Sequence, residues 1–184
     1  DEEAFAGRLD ALRVVAGTAT TRVLHRRTRD ADTHEVLGGI GSPLVRMAGP
    51  SQLVFGARPS YEFALLALDE DLAFVREDMV LGFELRLAYE NGRLVLDPGG
   101  DAGRPGEGAP VVQLRGSGWL VLELAGKLAS IPCAPEHPLL VRREWIVGWL
   151  GRLVPRAPPP GESPSGQRGL IAFSGEGTVL VCAS

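Results

Sequence analysis

Val111–Leu122 reads VVQLRGSGWLVL, and it aligns without gaps with Leu44–Phe55 (LVRMAGPSQLVF) and Leu170–Val181 (LIAFSGEGTVLV). Each stretch reads as an apolar strand, a three-residue turn led by glycine, and a second apolar strand. Gly49, Gly116 and Gly175 take the same place, and Gly118 and Gly177 add a second glycine where the first stretch has Ser51. A tight corner favours a residue that tolerates positive φ, so hairpins are expected at 44–55, 111–122 and 170–181. Alternation of period two turns Val45, Val112 and Ile171 inward, then Met47, Leu114 and Phe173, with Arg46, Gln113 and Ala172 on the other side.

A second similarity runs between Glu70–Phe83 (EDLAFVREDMVLGF) and Glu136–Trp149 (EHPLLVRREWIVGW), which share Val75-Arg76 with Val141-Arg142 and Gly82 with Gly148. The third copy lacks this block at its C-terminal side, and Glu35–Gly38 (EVLG) resembles Met79–Gly82 (MVLG) closely enough to suggest a substitute. In that reading the N-terminal segment completes the last repeat and the sheet closes. Repeats that bury one core and leave no open edge define an all-β fold, an antiparallel β-sandwich or barrel with internal pseudo-symmetry.

Outside the repeats, Phe5, Leu9, Leu12 and Val15 recur at spacings of four and three behind Asp1, Glu2 and Glu3. This pattern predicts a short amphipathic helix over 1–16, read as the end of an upstream module, followed by one β-domain over 17–184. Arg26–Thr33 reads as a solvated connection, and Glu90-Asn91-Gly92 carries an Asn-Gly hairpin signal. Asp97–Pro110 and Pro155–Gly166 hold too little apolar surface to offset the entropy of ordering and read as mobile loops.

Composition narrows the functional classes. The 184 residues carry a formal charge of −4, and Gly 24 with Pro 14 disfavours a helical bundle. Two cysteines cannot build a disulfide scaffold or a four-cysteine zinc site. No apolar run approaches a membrane span and no basic-then-apolar leader stands at the start, so a cytoplasmic unit is expected. The opening on Asp1 suggests a piece of a longer protein. Lys127 is the single lysine, a bias that suggests a GC-rich, bacterial genome.

The G-x-G corners Gly116-Ser117-Gly118 and Gly175-Glu176-Gly177, with Asp69–Glu84 and Pro135–Leu150, resemble the family named for altered inheritance of mitochondria, known in bacteria as a domain of unknown function. The resemblance covers about residues 34–184 and rests on structural motifs. It implies a fold like that of the tryptophan RNA-binding attenuation protein and no established enzymatic activity. The amphipathic start, Gly49-Pro50-Ser51 and the two long loops depart from the family pattern.

Residues suited to chemistry are sparse. Cys133 and His137 supply two metal ligands where a site needs at least three, and His25, His34 and Cys182 offer no compatible spacing. Gly161-Glu162-Ser163-Pro164-Ser165 is not a nucleophile elbow. The glycines at 38–41 and 116–118 lack the lysine and helix of a phosphate cradle. No catalytic residue, cofactor or metal is therefore expected. Arginines 26, 27, 29, 142, 143, 152 and 156 are candidates for an RNA contact, yet the acidic balance and 11 aromatic residues disfavour it.

Trp145, Val147 and Trp149 share one face if Trp145–Leu150 is a strand, with Ile146 and Leu150 on the other. Two apolar faces require either cover on both sides or a contact surface. Tryptophan beside Arg142, Arg143 and Arg152 is the composition of binding hot spots. The sequence thus points to a non-catalytic protein-interaction or assembly module of a larger bacterial protein, binding a partner or a second copy. RNA binding and small-ligand binding are the alternatives.

Overall fold

The computed structural model describes residues 4–94, 108–158 and 169–183. Fifteen strands are present among them: β1 (Ala4–Arg8), β2 (Leu12–Gly17), β3 (Thr20–Val23), β4 (His25–Thr28), β5 (Ala31–Val36), β6 (Leu44–Ala48), β7 (Ser51–Phe55), β8 (Glu62–Arg76), β9 (Val80–Glu84), β10 (Ala88–Leu94), β11 (Ala109–Leu124), β12 (Lys127–Cys133), β13 (Leu139–Arg142), β14 (Ile146–Arg156) and β15 (Leu170–Ala183). All pairings are antiparallel, and the protein is all-β. The main sheet holds 11 strands in the path β12-β15-β14-β8-β11-β9-β1-β6-β3, with β10 on β11 and β13 on β15; β2-β7 and β4-β5 form two small ribbons.

The three glycine-led stretches share their pairing. Leu44, Val111 and Leu170 lie opposite Arg8, Arg76 and Arg142. Each of these arginines then enters a three-residue 3-10 turn, at Leu9–Ala11, Glu77–Met79 and Arg143–Trp145. Each is ion-paired two residues ahead, Arg8 to Asp10, Arg76 to Asp78 and Arg142 to Glu144. After each turn the register slips by one residue. Leu12 faces Phe55 and Val14 faces Val54; Val80 faces Leu122 and Gly82 faces Val121; Ile146 faces Val181 and Gly148 faces Leu180.

Several expectations are corrected. Residues 4–17 form β1, a 3-10 turn and β2 rather than a helix, because β6 and β9 flank β1 and satisfy its backbone on both edges. That tertiary pairing overrides a weak local period broken by Gly7. β1 is thus a strand of the main sheet, and β2 pairs with β7 in a small ribbon beside it. Arg8, rather than a residue of Glu35–Gly38, stands opposite Leu44 as Arg76 stands opposite Val111. Among the described residues the main sheet runs from β12 to β3 without these end strands pairing, and β2 lies outside it on β7, so the sheet does not close.

The hairpins expected at 44–55, 111–122 and 170–181 are bent strands whose halves pair with other strands. Gly49, Gly116 and Gly175 make the corners at φ 112°, 118° and 113°, a region unfavourable to other residues. Gly118 and Gly177 lie inside β11 and β15. The inward positions are buried as read: Val45, Met47, Val112, Leu114, Ile171 and Phe173 all lie in the core.

Asn91-Gly92 is not a turn but the middle of β10, where the Asn91 amide accepts from the Arg27 N–H at 3.0 Å and donates to Glu77 at 3.1 Å. Residues 26–33 form the β4-β5 ribbon, reversed at Arg29 and Asp30 with φ of 51° and 61°. The stretches 97–107 and 159–166 of the two expected loops lie outside the described residues. Ala109 and Pro110 open β11, and Pro155 and Arg156 end β14.

Candidate functional site

The tryptophan pair does not share a face. Trp145 closes a 3-10 turn and is 48% exposed, while Trp149 is 4% exposed. The turn and the register slip at Val147 break the alternation that joined them. Trp149 stacks on Phe74, with ring centroids 5.0 Å apart and planes 14° apart, and meets Phe173 at a tilt. It is a core residue. Arg142, Arg143 and Arg152 are exposed, and Arg142 is paired with Glu144. Among the arginines weighed for RNA, Arg26 is ion-paired to Glu77 and Glu35, and Arg27 to Asp32.

A different apolar surface stands open on the ribbon of β8 and β11. Residues 63, 65 and 67 alternate onto one face, directly opposite Glu123, Val121 and Trp119. On this face Phe63 is 44% exposed, Leu65 59% and Trp119 44%. The intervening Leu66, Leu120, Leu122 and Leu124 turn into the core. Sequence reasoning missed this face because Phe63–Leu68 (FALLAL) is apolar in both alternations, which hides the side that is covered.

Glu123 anchors one end of the face. Its carboxylate is fully buried and accepts from the Arg58 backbone N–H at 2.6 Å and the Arg58 Nε at 2.8 Å, with Arg8 Nη1 at 3.0 Å. Arg58 in turn lies 4.1 Å over the Tyr61 ring. At the other end Glu84 accepts from the Trp119 N–H at 2.8 Å and pairs with Arg86. The result is a fixed apolar ladder between two charged clamps.

Glu77 forms a second buried knot. It pairs with Arg26 Nη2 at 2.8 Å and accepts from the Gly38 N–H at 2.9 Å and from Asn91. The Glu77 hydrogen bond holds the Arg26 guanidinium above its usual range, against the opposing effect of burial. Burial, followed by the charge of Asp32, raises the Tyr89 phenol. The Glu77 carboxylate is thus satisfied by Arg26, Gly38 and Asn91, and that of Glu123 by Arg58 and Arg8.

Cys133 is buried with its thiol near the carbonyls of Phe173 and His137 at 3.6 and 3.8 Å, while His137 is exposed. Among the described residues no group of three or more His, Cys, Asp or Glu converges on a common point. A cavity of about 340 Å³ opens between Phe74, Trp149, Val111 and the Glu90–Leu94 stretch.

No family model matches the chain. No curated protein matches it either. The X-ray crystal structure of a Streptococcus pyogenes protein, a structural-genomics target, superposes with a TM-score of 0.67 at 16% identity, covering 100% of this chain and 84% of that one. At that identity the likeness is one of fold. It extends over the whole antiparallel architecture, including the N-terminal strands. Among the described residues no helix is long and apolar enough to cross a membrane.

Proposed function

We propose that this chain is a non-catalytic, cytoplasmic protein-interaction module of a larger bacterial protein, built from three related β-units, that binds a protein partner or a second copy through the β8-β11 ladder. The observation that carries the reading is the juxtaposition of Phe63, Leu65 and Trp119, large apolar groups exposed on one face of one ribbon. Isolated exposed apolar residues are ordinary, whereas a contiguous set beside arginine and tyrosine has the composition of a binding hot spot. Arg58 and Tyr61 supply that rim. The three Arg-x-acid turns and their shared register support a tandem of related units, in keeping with the resemblance to the altered-inheritance-of-mitochondria family and an attenuation-protein-like fold.

The test is Trp119→Ala. Its side chain is half-exposed, so the fold is expected to survive. Association is read by sedimentation for a second copy and by co-purification for another protein. It is expected to weaken by about 2 kcal/mol, roughly thirtyfold. Undiminished association of a folded variant would remove the ladder from the interface.

A further inference from the structure

Two internal junctions have the same construction. In the first, β9 lies against β1 with Gly82 opposite Gly7 and Phe83 opposite Ala6. In the second, β14 lies against β8 with Gly148 opposite Val75 and Trp149 opposite Phe74. Counted from the arginine before each 3-10 turn, the paired positions are identical. The residue just before one arginine meets the glycine six places after the next. That glycine is required by contact. A Cβ on Gly82 would overlap the Ala6 carbonyl oxygen, and one on Gly148 would overlap the Phe74 carbonyl oxygen.

The same arrangement is half-built a third time. β13 is the counterpart of β1 and of the second half of β8, with Val141 in the place of Gly7 and Val75. Among the described residues β13 pairs with β15 and its other edge has no strand, leaving Leu140 41% exposed. Among the described residues the corresponding donor strand of this chain, β2, is also unpaired on its outer edge. A head-to-tail contact between copies would bring the two edges together. Yet β2 carries Val14 where Gly82 and Gly148 stand, and its isopropyl group would occupy the space that the approaching carbonyl of Leu140 needs. The chain is excluded as its own partner in this register.

We propose that the free edge of β13 is a strand-acceptor site for another polypeptide, one presenting an extended apolar strand with glycine opposite Val141. Recognition would combine main-chain hydrogen bonds with a steric demand for glycine, as strand addition does elsewhere. Large apolar residues would flank that glycine, as Leu81 and Phe83 flank Gly82. The site is an edge on a different strand from the β8-β11 ladder.

The probe is a peptide of residues 76–86 (REDMVLGFELR), added to the whole chain while amide exchange across 139–142 is followed. At a concentration ten times its dissociation constant it is expected to slow exchange there by about tenfold. The same peptide with Gly82→Val, and a peptide of residues 8–18 (RLDALRVVAGT), are expected to leave exchange unchanged. Absence of protection by the first peptide, or equal protection by all three, would overturn the proposal. Leu65→Asp in the chain separates the two sites. Protection that survives it places the peptide on the edge, and protection abolished by it places the peptide on the ladder and ends the edge proposal.

Discussion

The β1-β9 and β8-β14 junctions share a three-residue ladder and register, but their side chains fasten them in opposite ways. Around the first, buried carboxylates do the fastening. Glu123 holds Arg8 and Arg58, and Glu77 holds Arg26 and the Gly38 amide, tying residues before 62 to those after. At the second, Trp149 lies flat on Phe74 and against Phe173. The lesson is that the backbone approach, set by Gly82 and Gly148, is the common element. The fastening is free to be polar or apolar.

The largest effect should come from removing that common element. Gly148→Val sets a branched side chain against the Phe74 carbonyl and the Val75 backbone, and is expected to cost at least about 4 kcal/mol, read as lost folded protein or a collapsed denaturant midpoint. Gly82→Val should do the same. A variant of either kind with ordinary stability would show that the ladder can separate without consequence.

The next pair of changes tells the two fastenings apart. Trp149→Ala hollows the core and Glu123→Ala strands the buried Arg8, each at about 3–5 kcal/mol. Conservative replacements divide them. Trp149→Phe restores most of the packing and recovers most of the stability. Glu123→Gln keeps the volume yet removes the buried charge between Arg8 and Arg58, leaving Arg8 only the half-exposed Asp10, and should remain nearly as costly as Glu123→Ala in urea unfolding. Full recovery by Glu123→Gln would make that junction a matter of shape rather than charge.

The sequence announced the second junction better than the first. Trp149 and its counterpart Phe83 were visible as apolar residues beside a shared glycine. Nothing local marks Glu123 as buried, because its partners Arg8 and Arg58 come from a distant strand and from the connection between β7 and β8. The inward faces of the glycine-led stretches were legible, since alternation is a local property. The N-terminal strands are not, because the spacing of Phe5, Leu9 and Leu12 fits a helix and the flanking strands that overrule it pair from distant positions, as Arg8 with Leu44 and Gly7 with Gly82. A local signal does exist, the Arg-x-acid triplet at Arg8-Leu9-Asp10, which recurs at Arg76-Glu77-Asp78 and Arg142-Arg143-Glu144. It would have placed the first block where β1 and β2 stand.

The smallest expected effect lies in the first of those triplets. Burial raises the Asp10 carboxyl, but hydrogen bonds from Arg8 and Ser42 outweigh it and hold the group below its usual 3.8. A depressed carboxyl adds stability above the unfolded-state value, and that contribution disappears as pH falls through the folded-state value. Asp10→Asn should therefore cost a few tenths of a kcal/mol at neutral pH, because the Asp10 side of the pair is exposed to solvent. The difference from the parent chain should vanish in strong acid, as followed by thermal unfolding across pH. A difference that grew with acidity would reverse the assignment.

Amide hydrogen exchange of the isolated chain bears most directly on the repeated junction and its open third place. Ala6 and Phe74 face a neighbouring strand at the two filled junctions, and Leu140 holds the matching position on the unpaired edge of β13. Slow exchange at Ala6 and Phe74 together with fast exchange at Leu140 is the expected pattern. Protection of Leu140 equal to that of Phe74 would mean the third place is already occupied and would contradict the account.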